Sequence, residues 1–468
     1  MHPGASSEKG AAVILAESVA APIPQHQLLV LLLQVSVLLV AAILLGRLAQ
    51  RLHLPAIVGE LSAGVLLGPS LLSHLLPSVT GWLFPQEAGQ MHLLDALGQV
   101  GVILLVGFTG MHIDMGLVRR KGSHAAVVSL TGLLLPLGLG IWLGLAMPAR
   151  LREDGSDPTV FACFVGVAMC VSAIPVIAKT LMDMRLIHRN IGQMILVAGT
   201  IDDAVGWVLV SLVSAMTTAN GLTGGDVLTS LGHLALVLLV MVTVGRLAVN
   251  RVMRAAISSG VRGMPVVAAV GLIVLSAAGT QALELEAVFG AFLCGVLIGT
   301  GKGIDIRPLE PLNTTVVTVL APLFFATAGL RMDLTALDDP VIAGWALAVV
   351  VVAIVGKFAG AFLGALIGRV NRWEALALGA GMNSRGVIEV IIAMIGVRLG
   401  LLTVEMYSIV ILVAVITSVM APPMLRLAMR RVEHTAEESL RERRVLDLGG
   451  TPEGGGTALG QEPSPAER

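Results

Sequence analysis

The sequence predicts an all-α, polytopic membrane protein of about thirteen transmembrane helices arranged as two inverted halves. Three observations carry that expectation. The 468 residues are 56% apolar and only 13% charged, with a mean hydropathy of +0.89, whereas soluble domains carry roughly 25% charged residues. Apolar runs of bilayer-crossing length follow one another, bounded by charged or Pro/Gly turns. A glycine pattern recurs in two segments far apart in the chain.

The first 27 residues read as an N-terminal extracytoplasmic segment. Gly10 to Ala21 is weakly apolar, but Glu17 interrupts it, which argues against a cleaved signal peptide. Spans are expected at 28–49, 55–72, 93–113, 125–147, 161–181, 191–216, 227–249, 264–281, 286–299, 312–330, 341–367, 375–397 and 402–429, the 286–299 run being short for a crossing helix. Residues 28–429 thus form one transmembrane domain. Residues 430–468 are first charged and then rich in Gly, Pro and Glu, a cytoplasmic and largely disordered tail by composition. It holds no strand followed by G-x-G-x-x-G, so no nucleotide-binding domain is expected there.

Basic residues fall on alternate connections: Arg51, Arg119 to Lys121, Arg185 and Arg189, Arg251 and Arg254, Lys302 and Arg307, Arg369 and Arg372. The other connections carry mainly acids, among them Glu153, Asp154, Asp157, Asp338 and Asp339. The positive-inside rule then places the N-terminus outside and the C-terminus inside. Sparse Lys against abundant Arg suggests a GC-rich bacterial gene and the cytoplasmic membrane. A net charge of -1 leaves no basic face for nucleic acid. Cys163, Cys170 and Cys294 lie inside apolar runs and read as core residues. No metal or nucleophile constellation stands in the short connections, so neither an enzyme nor a resident cofactor is expected.

The repeat shows in Gly59, Gly64 and Gly68, spaced as Gly290, Gly295 and Gly299 are. Downstream of each lies a similar segment end, Gly110 to Asp114 and Gly329 to Asp333. The partner segments are an odd number of spans apart, so the halves would be inverted, a transporter signature with the site near the midplane.

The intramembrane charges mark that site. Asp202 and Asp203 adjoin in the middle of an apolar run, where each charge costs roughly 3 kcal/mol or more unless a cation, a proton or water meets it. Lys357 lies far from either end of its own span. Its ammonium needs an anion, and the midplane anions are Asp202 and Asp203, so the three are expected together, as a transport site, a structural salt bridge or both. Matching helix breaks are expected in the two halves. One is at Ser172 and Pro175, unless Pro175 makes only a kink; the other runs through Asn383, Ser384 and Arg385. Glu389 follows Arg385 by four residues and could pair with it. Glu60 is either an entrance carboxylate or a helix-end residue at the interface.

With these motifs in order, namely "PAIVGELSAGVLLGP", "GTIDDAVGW", "APLFFATAGLRMDL", "VGKFAG" and "MNSRGVIEV", the chain resembles the second monovalent cation:proton antiporter family, from about Leu28 to Met429. That family includes bacterial sodium/proton antiporters, Kef-type potassium systems and plant cation/proton exchangers. The resemblance implies the sodium/proton antiporter fold, with two crossed, partly unwound helices and a homodimer. It implies that Asp203 is the cation and proton carboxylate and that Asp202 pairs with Lys357. The Asp-Asp pair points toward sodium and "MNSRGVIEV" toward potassium, so the cation stays open. The function expected is exchange of Na+ or K+ for H+ by alternating access, with both ions competing at the Asp202/Asp203 site. A Kef-like regulated potassium efflux system and a sodium-coupled solute symporter are the alternatives.

Overall fold

The computed structural model describes residues 23–433 and Glu438, apart from 53, 86, 112–114, 174–176, 178–179, 182–183, 185, 187–188, 219–223, 262, 284 and 302. The principal helices are α1 (Gln25–Arg51), α2 (Ala56–Leu67), α3 (Ala88–Met111), α4 (Met115–Ala146), α5 (Pro158–Cys170), α6 (Asn190–Thr218), α7 (Gly224–Val240) and α8 (Arg246–Ser258). They continue with α9 (Met264–Ala282), α10 (Ala287–Gly299), α11 (Ala321–Leu330), α12 (Pro340–Ile367), α13 (Arg372–Met382), α14 (Val387–Arg398) and α15 (Val404–Met429).

Among the described residues ten helices are long and apolar enough to cross a membrane, or eleven if α13 and α14, bent by 45° at their break, make one span. The chain is a multi-pass membrane protein. Helices α5 and α10 have 13 residues each, about 20 Å at the α-helical rise, short of the roughly 30 Å hydrocarbon core. Among the described residues, α5 and α10 are therefore too short to cross by themselves. Hydropathy registers apolar length, not where the backbone leaves the helix.

Several helices start where their sequence dictates. Asp157 accepts from the backbone N–H of Thr159 (2.7 Å) and Val160 (3.2 Å), with Pro158 leading α5. Asp339 does the same for Val341 (2.8 Å) ahead of Pro340 and α12. Both satisfy orphan N–H groups of a first turn, and proline in that turn removes a donor that had no partner.

The helices pack as two bundles. One holds α4, α5, α6 and α12 to α15; the other holds α1 to α3 and α9 to α11. They meet where α6 touches α10 and where α11 touches α14. Exposed Leu32, Leu44, Leu275, Leu347 and Ile367 give the outer faces an apolar surface suited to lipid.

The repeated glycines sit at equivalent contacts. A Cβ at Gly59 would fall 2.1 Å from the Leu45 carbonyl oxygen of α1, and one at Gly290 2.2 Å from that of Ser276 on α9. A Cβ at Gly64 would fall 1.9 Å from the Ala326 oxygen of α11, and one at Gly295 1.9 Å from the Gly107 oxygen of α3. Each half's glycine helix thus packs on its own preceding helix and on the third helix of the opposite half. A two-fold relation between halves produces that exchange, and only residues without a side chain allow the backbones so close.

Glu438, beyond α15, lies against the transmembrane body. Glu438 is buried, its Oε2 3.2 Å from Arg189 Nε and its Oε1 accepting from the Asn190 N–H at 2.6 Å. This places a carboxylate at the positive N-terminus of α6. The other residues from 434 onward, and residues 1–22, lie outside the described residues.

Candidate functional site

Asp202 and Asp203 lie near the middle of α6, both fully buried. Lys357, from the middle of α12, is fully buried too, and its Nζ stands 2.5 Å from Asp202 Oδ2. Such a pair persists away from water only when hydrogen bonds satisfy its remaining atoms. Ser172 Oγ donates to the same Oδ2 at 3.0 Å, and Ser129 Oγ of α4 donates to Oδ1 at 2.5 Å. Both oxygens of Asp202 are therefore engaged.

The breaks in the two half-helices meet beside this pair. Helix α5 ends at Cys170 and α13 at Met382. Ser172 Oγ also stands 2.9 Å from the Met382 carbonyl, so its single proton is shared between that oxygen and Asp202 Oδ2, and the Ala173 N–H donates to the Ser384 carbonyl at 3.2 Å. The last turn of α5 leaves four carbonyls without helical partners, and each has a donor. Cys170 Sγ takes Val167, Arg385 takes Ala168 (3.2 Å) and Met169, and Lys357 takes Cys170 (2.5 Å). Two buried cations thus cap the negative end of one short helix, where the peptide dipoles favour positive charge.

The spacing of Arg385 and Glu389 does not make them a pair. The chain is non-helical through Ser384 to Gly386, so the four-residue geometry is lost. Arg385 reaches instead to the α5 carbonyls and to Ala353 (3.2 Å), while Glu389 Oε2 accepts from the Gly386 N–H at 2.7 Å. Its other oxygen, the Asn383 amide and the Ser384 hydroxyl are buried without hydrogen-bond partners among the described residues. Such groups ordinarily meet water or an ion.

The structure therefore gathers Asp202, Lys357, Ser172, Asn383, Ser384, Arg385 and Glu389 around the helix break, with Asp203 next to Asp202 on α6. Pro175 lies outside the described residues. Glu60 stands apart: it belongs to α2, whose neighbours are α1 and α11, and its side chain packs on Gly46 of α1. Ser129 was not legible in the sequence, because a single hydroxyl in an apolar run can return its hydrogen bond to its own helix. Ser418 of α15, which donates to the Arg385 carbonyl, escaped notice for the same reason. Among the described residues no three His, Cys, Asp or Glu side chains converge as a metal site.

Comparison with known proteins agrees with this architecture. The chain is 30% identical over 407 residues to the Na(+)/H(+) antiporter NhaS4 of Synechocystis, covering 85% of this chain and 97% of that one. It is 29% identical to cation/H(+) antiporter 17 of Arabidopsis thaliana and 26% identical to K(+)/H(+) antiporter 1 of Saccharomyces cerevisiae. It spans 48% and 43% of those two longer proteins. The structure of the sodium proton antiporter MjNhaP1 from Methanocaldococcus jannaschii superimposes with a TM-score of 0.64 at 14% identity, covering 90% of this chain and 99% of that one. It shares the fold. The family model described as "Sodium/hydrogen exchanger, transmembrane" matches residues 35–431, and the chain belongs to that family.

Proposed function

We propose that this protein exchanges a monovalent alkali cation, Na+ or K+, for H+ across a bacterial cytoplasmic membrane. The observation that carries the reading is a carboxylate whose two oxygens are both engaged, Asp202, beside a second fully buried carboxylate, Asp203. Lys357 neutralises one negative charge of the pair. The site can then hold one further positive charge, a proton or a partly dehydrated cation, and the two compete at Asp203. Asn383 and Ser384, buried on the facing break, supply neutral polar atoms for a cation that has shed part of its water.

Alternating access follows from movement of the α4–α6 and α12–α15 bundle against the other, which carries the loaded site past the seam. The N-terminus is placed outside and the C-terminus inside, and a homodimer is the working assembly. The antiporter names of the similar Synechocystis, Arabidopsis and yeast proteins support the reading and span both cations.

The test is dye-reported proton movement in proteoliposomes with an acidic interior. Na+, K+, Li+ or choline is added outside, for the unmodified protein and for Asp203→Asn. Alkalinisation by an alkali cation but not by choline, lost in the variant, is the expected result and names the ion. No response to any cation, or a response that survives the substitution, sinks it.

A further inference from the structure

Another buried carboxylate lies on the seam between the bundles, at the end of α6 away from Asn190. Glu286, which leads into α10, is 2% exposed. Its Oε1 accepts from Ser214 Oγ of α6 at 2.8 Å, and its Oε2 pairs with Arg398, the last residue of α14. Through these two contacts one carboxylate joins the second bundle to both α6 and α14 of the first. The two partners are unlike in their access to solvent. The Arg398 side chain is 41% exposed and the carboxylate 2%, so the cation of the pair stands at the mouth and the anion behind it. A narrow cleft, with room for about one water molecule, lies there, lined by Gln99, Glu286, Met394 and Arg398.

The stretch of α6 between this carboxylate and the central pair is polar along one stripe. Asp203, Trp207, Ser211 and Ser214 fall within about 80° of one another at 3.6 residues per turn. Ser214 meets Glu286 across the seam, so the stripe follows the seam. Trp207 Nε1 and Ser211 Oγ are both buried and have no hydrogen-bond partner among the described residues. Two orphan polar atoms along one line between two carboxylates are costly in an apolar helix unless something hydrated passes them. Asp203 and Ser214 are about 16 Å apart along the axis, roughly half a hydrocarbon core. That puts Glu286 near the membrane boundary.

We infer that Glu286 is a second cation-binding carboxylate, an outer station through which the transported monovalent cation reaches Asp203, with Arg398 as the resident counter-ion that it displaces. The inference rests on the antiport reading for the direction of traffic, not for the existence of the site. Displacing Arg398 also frees α14 from α10, so loading the station loosens one of the contacts that hold the bundles together at this end. A simple latch would use the same ion pair, but it would respond differently to substitution. Glu286→Gln and Arg398→Gln both break a latch, in the same sense. For a cation site they act oppositely, because one removes the ligand and the other removes the competitor.

Two measurements test this. In oriented proteoliposomes with Na+ or K+ presented from either face, Glu286→Gln is expected to raise KM about ten-fold at the Glu286 face, the loss of one charge-assisted contact. KM at the opposite face stays unchanged, and Arg398→Gln lowers KM at the Glu286 face. Equal changes at both faces, a shift of the same sign in the two variants, or no shift overturns the proposal. The second measurement needs no transport. Purified Asp203→Asn protein is melted in NaCl, KCl or choline chloride of equal ionic strength. Stabilisation by an alkali cation that persists in this variant, and disappears when Glu286→Gln is added, supports the station. If no such stabilisation exists, or if it survives the second substitution, the station is refuted even where wild-type antiport is intact. Conversely, stabilisation without antiport would overturn the proposed function and leave the second site standing.

Discussion

Lys357 and Asp202 form a fully buried ion pair, Nζ to Oδ2 at 2.5 Å, in which each partner also answers to a broken helix. Lys357 holds the last carbonyl of α5, and Asp202 is held by Ser172 just beyond it. Because the carboxylate is fully buried, Lys357→Met is expected to lower stability by about 3–5 kcal/mol. The double variant Lys357→Met with Asp202→Asn removes both charges and should recover much of that loss. Thermal unfolding of detergent-purified single and double variants measures the difference. Additive losses would show that the pair does not stabilise the break.

Ser129 reaches Asp202 Oδ1 from α4 at 2.5 Å and is fully buried. Ser129→Ala leaves one carboxylate oxygen without its donor, a loss of about 1–3 kcal/mol. Ser129→Thr keeps the hydroxyl and should retain most of the stability. Antiport is expected to survive in both, because neither the charge of Asp202 nor Asp203 is altered. Melting curves beside proteoliposome assays separate the two effects, and abolition of transport by Ser129→Ala alone would give Ser129 a direct part in ion binding.

How far the site was legible in the sequence follows from what each residue costs in an apolar run. Asp202, Asp203, Lys357 and Arg385 announced themselves, since a charge at membrane depth has to be answered by another group. The partner of each was less legible. Arg385 turned to the C-terminal end of α5 because the chain is non-helical from Ser384 to Gly386, a tertiary choice that spacing alone does not encode. Ser129 and Ser418 were silent because a hydroxyl is tolerated in any transmembrane helix. The glycine repeat gave the correspondence between halves, but not that Gly64 would meet α11 and Gly295 meet α3, which depends on the folded arrangement. Apolar length placed every crossing segment, yet could not tell the short α5 and α10 from full spans.

Outside the membrane the acid dependence of stability can be read from the helix caps. The backbone N–H groups of Thr159 and Val160 hold the Asp157 carboxyl below its ordinary 3.8. Arg150 first, then the Val341 N–H, does the same for Asp339. A carboxylate depressed in the folded state contributes stability above its unfolded value and loses it as the pH falls through the folded one. Asp157→Ala is therefore expected to cost about 1 kcal/mol near neutral pH, the usual value of such a cap. The difference from wild type should shrink as the pH drops below 3.8. Unfolding midpoints of the two proteins across that range check it, and a difference independent of pH would mean that the cap acts without its charge.

The matched glycine contacts predict matched sensitivities. Alanine at Gly64 would press on the Ala326 oxygen and alanine at Gly295 on the Gly107 oxygen, in each case at 1.9 Å before relaxation. Backbone cannot swing aside as a side chain does, so α2 must part from α11, or α10 from α3, and overpacking of this kind costs about 1–3 kcal/mol. If the halves are related by a two-fold axis, Gly64→Ala and Gly295→Ala should lower the unfolding temperature by similar amounts. Gly279→Ala, where nothing lies within 4 Å of the added Cβ, should raise it or leave it unchanged, since alanine favours a helix over glycine by about 1 kcal/mol. The comparison tests the contact and not the residue type. Equal losses at all three positions would assign the effect to membrane insertion and not to the contact, whereas a loss at Gly64 without one at Gly295 would show that the two glycine helices are not equivalent in the folded protein.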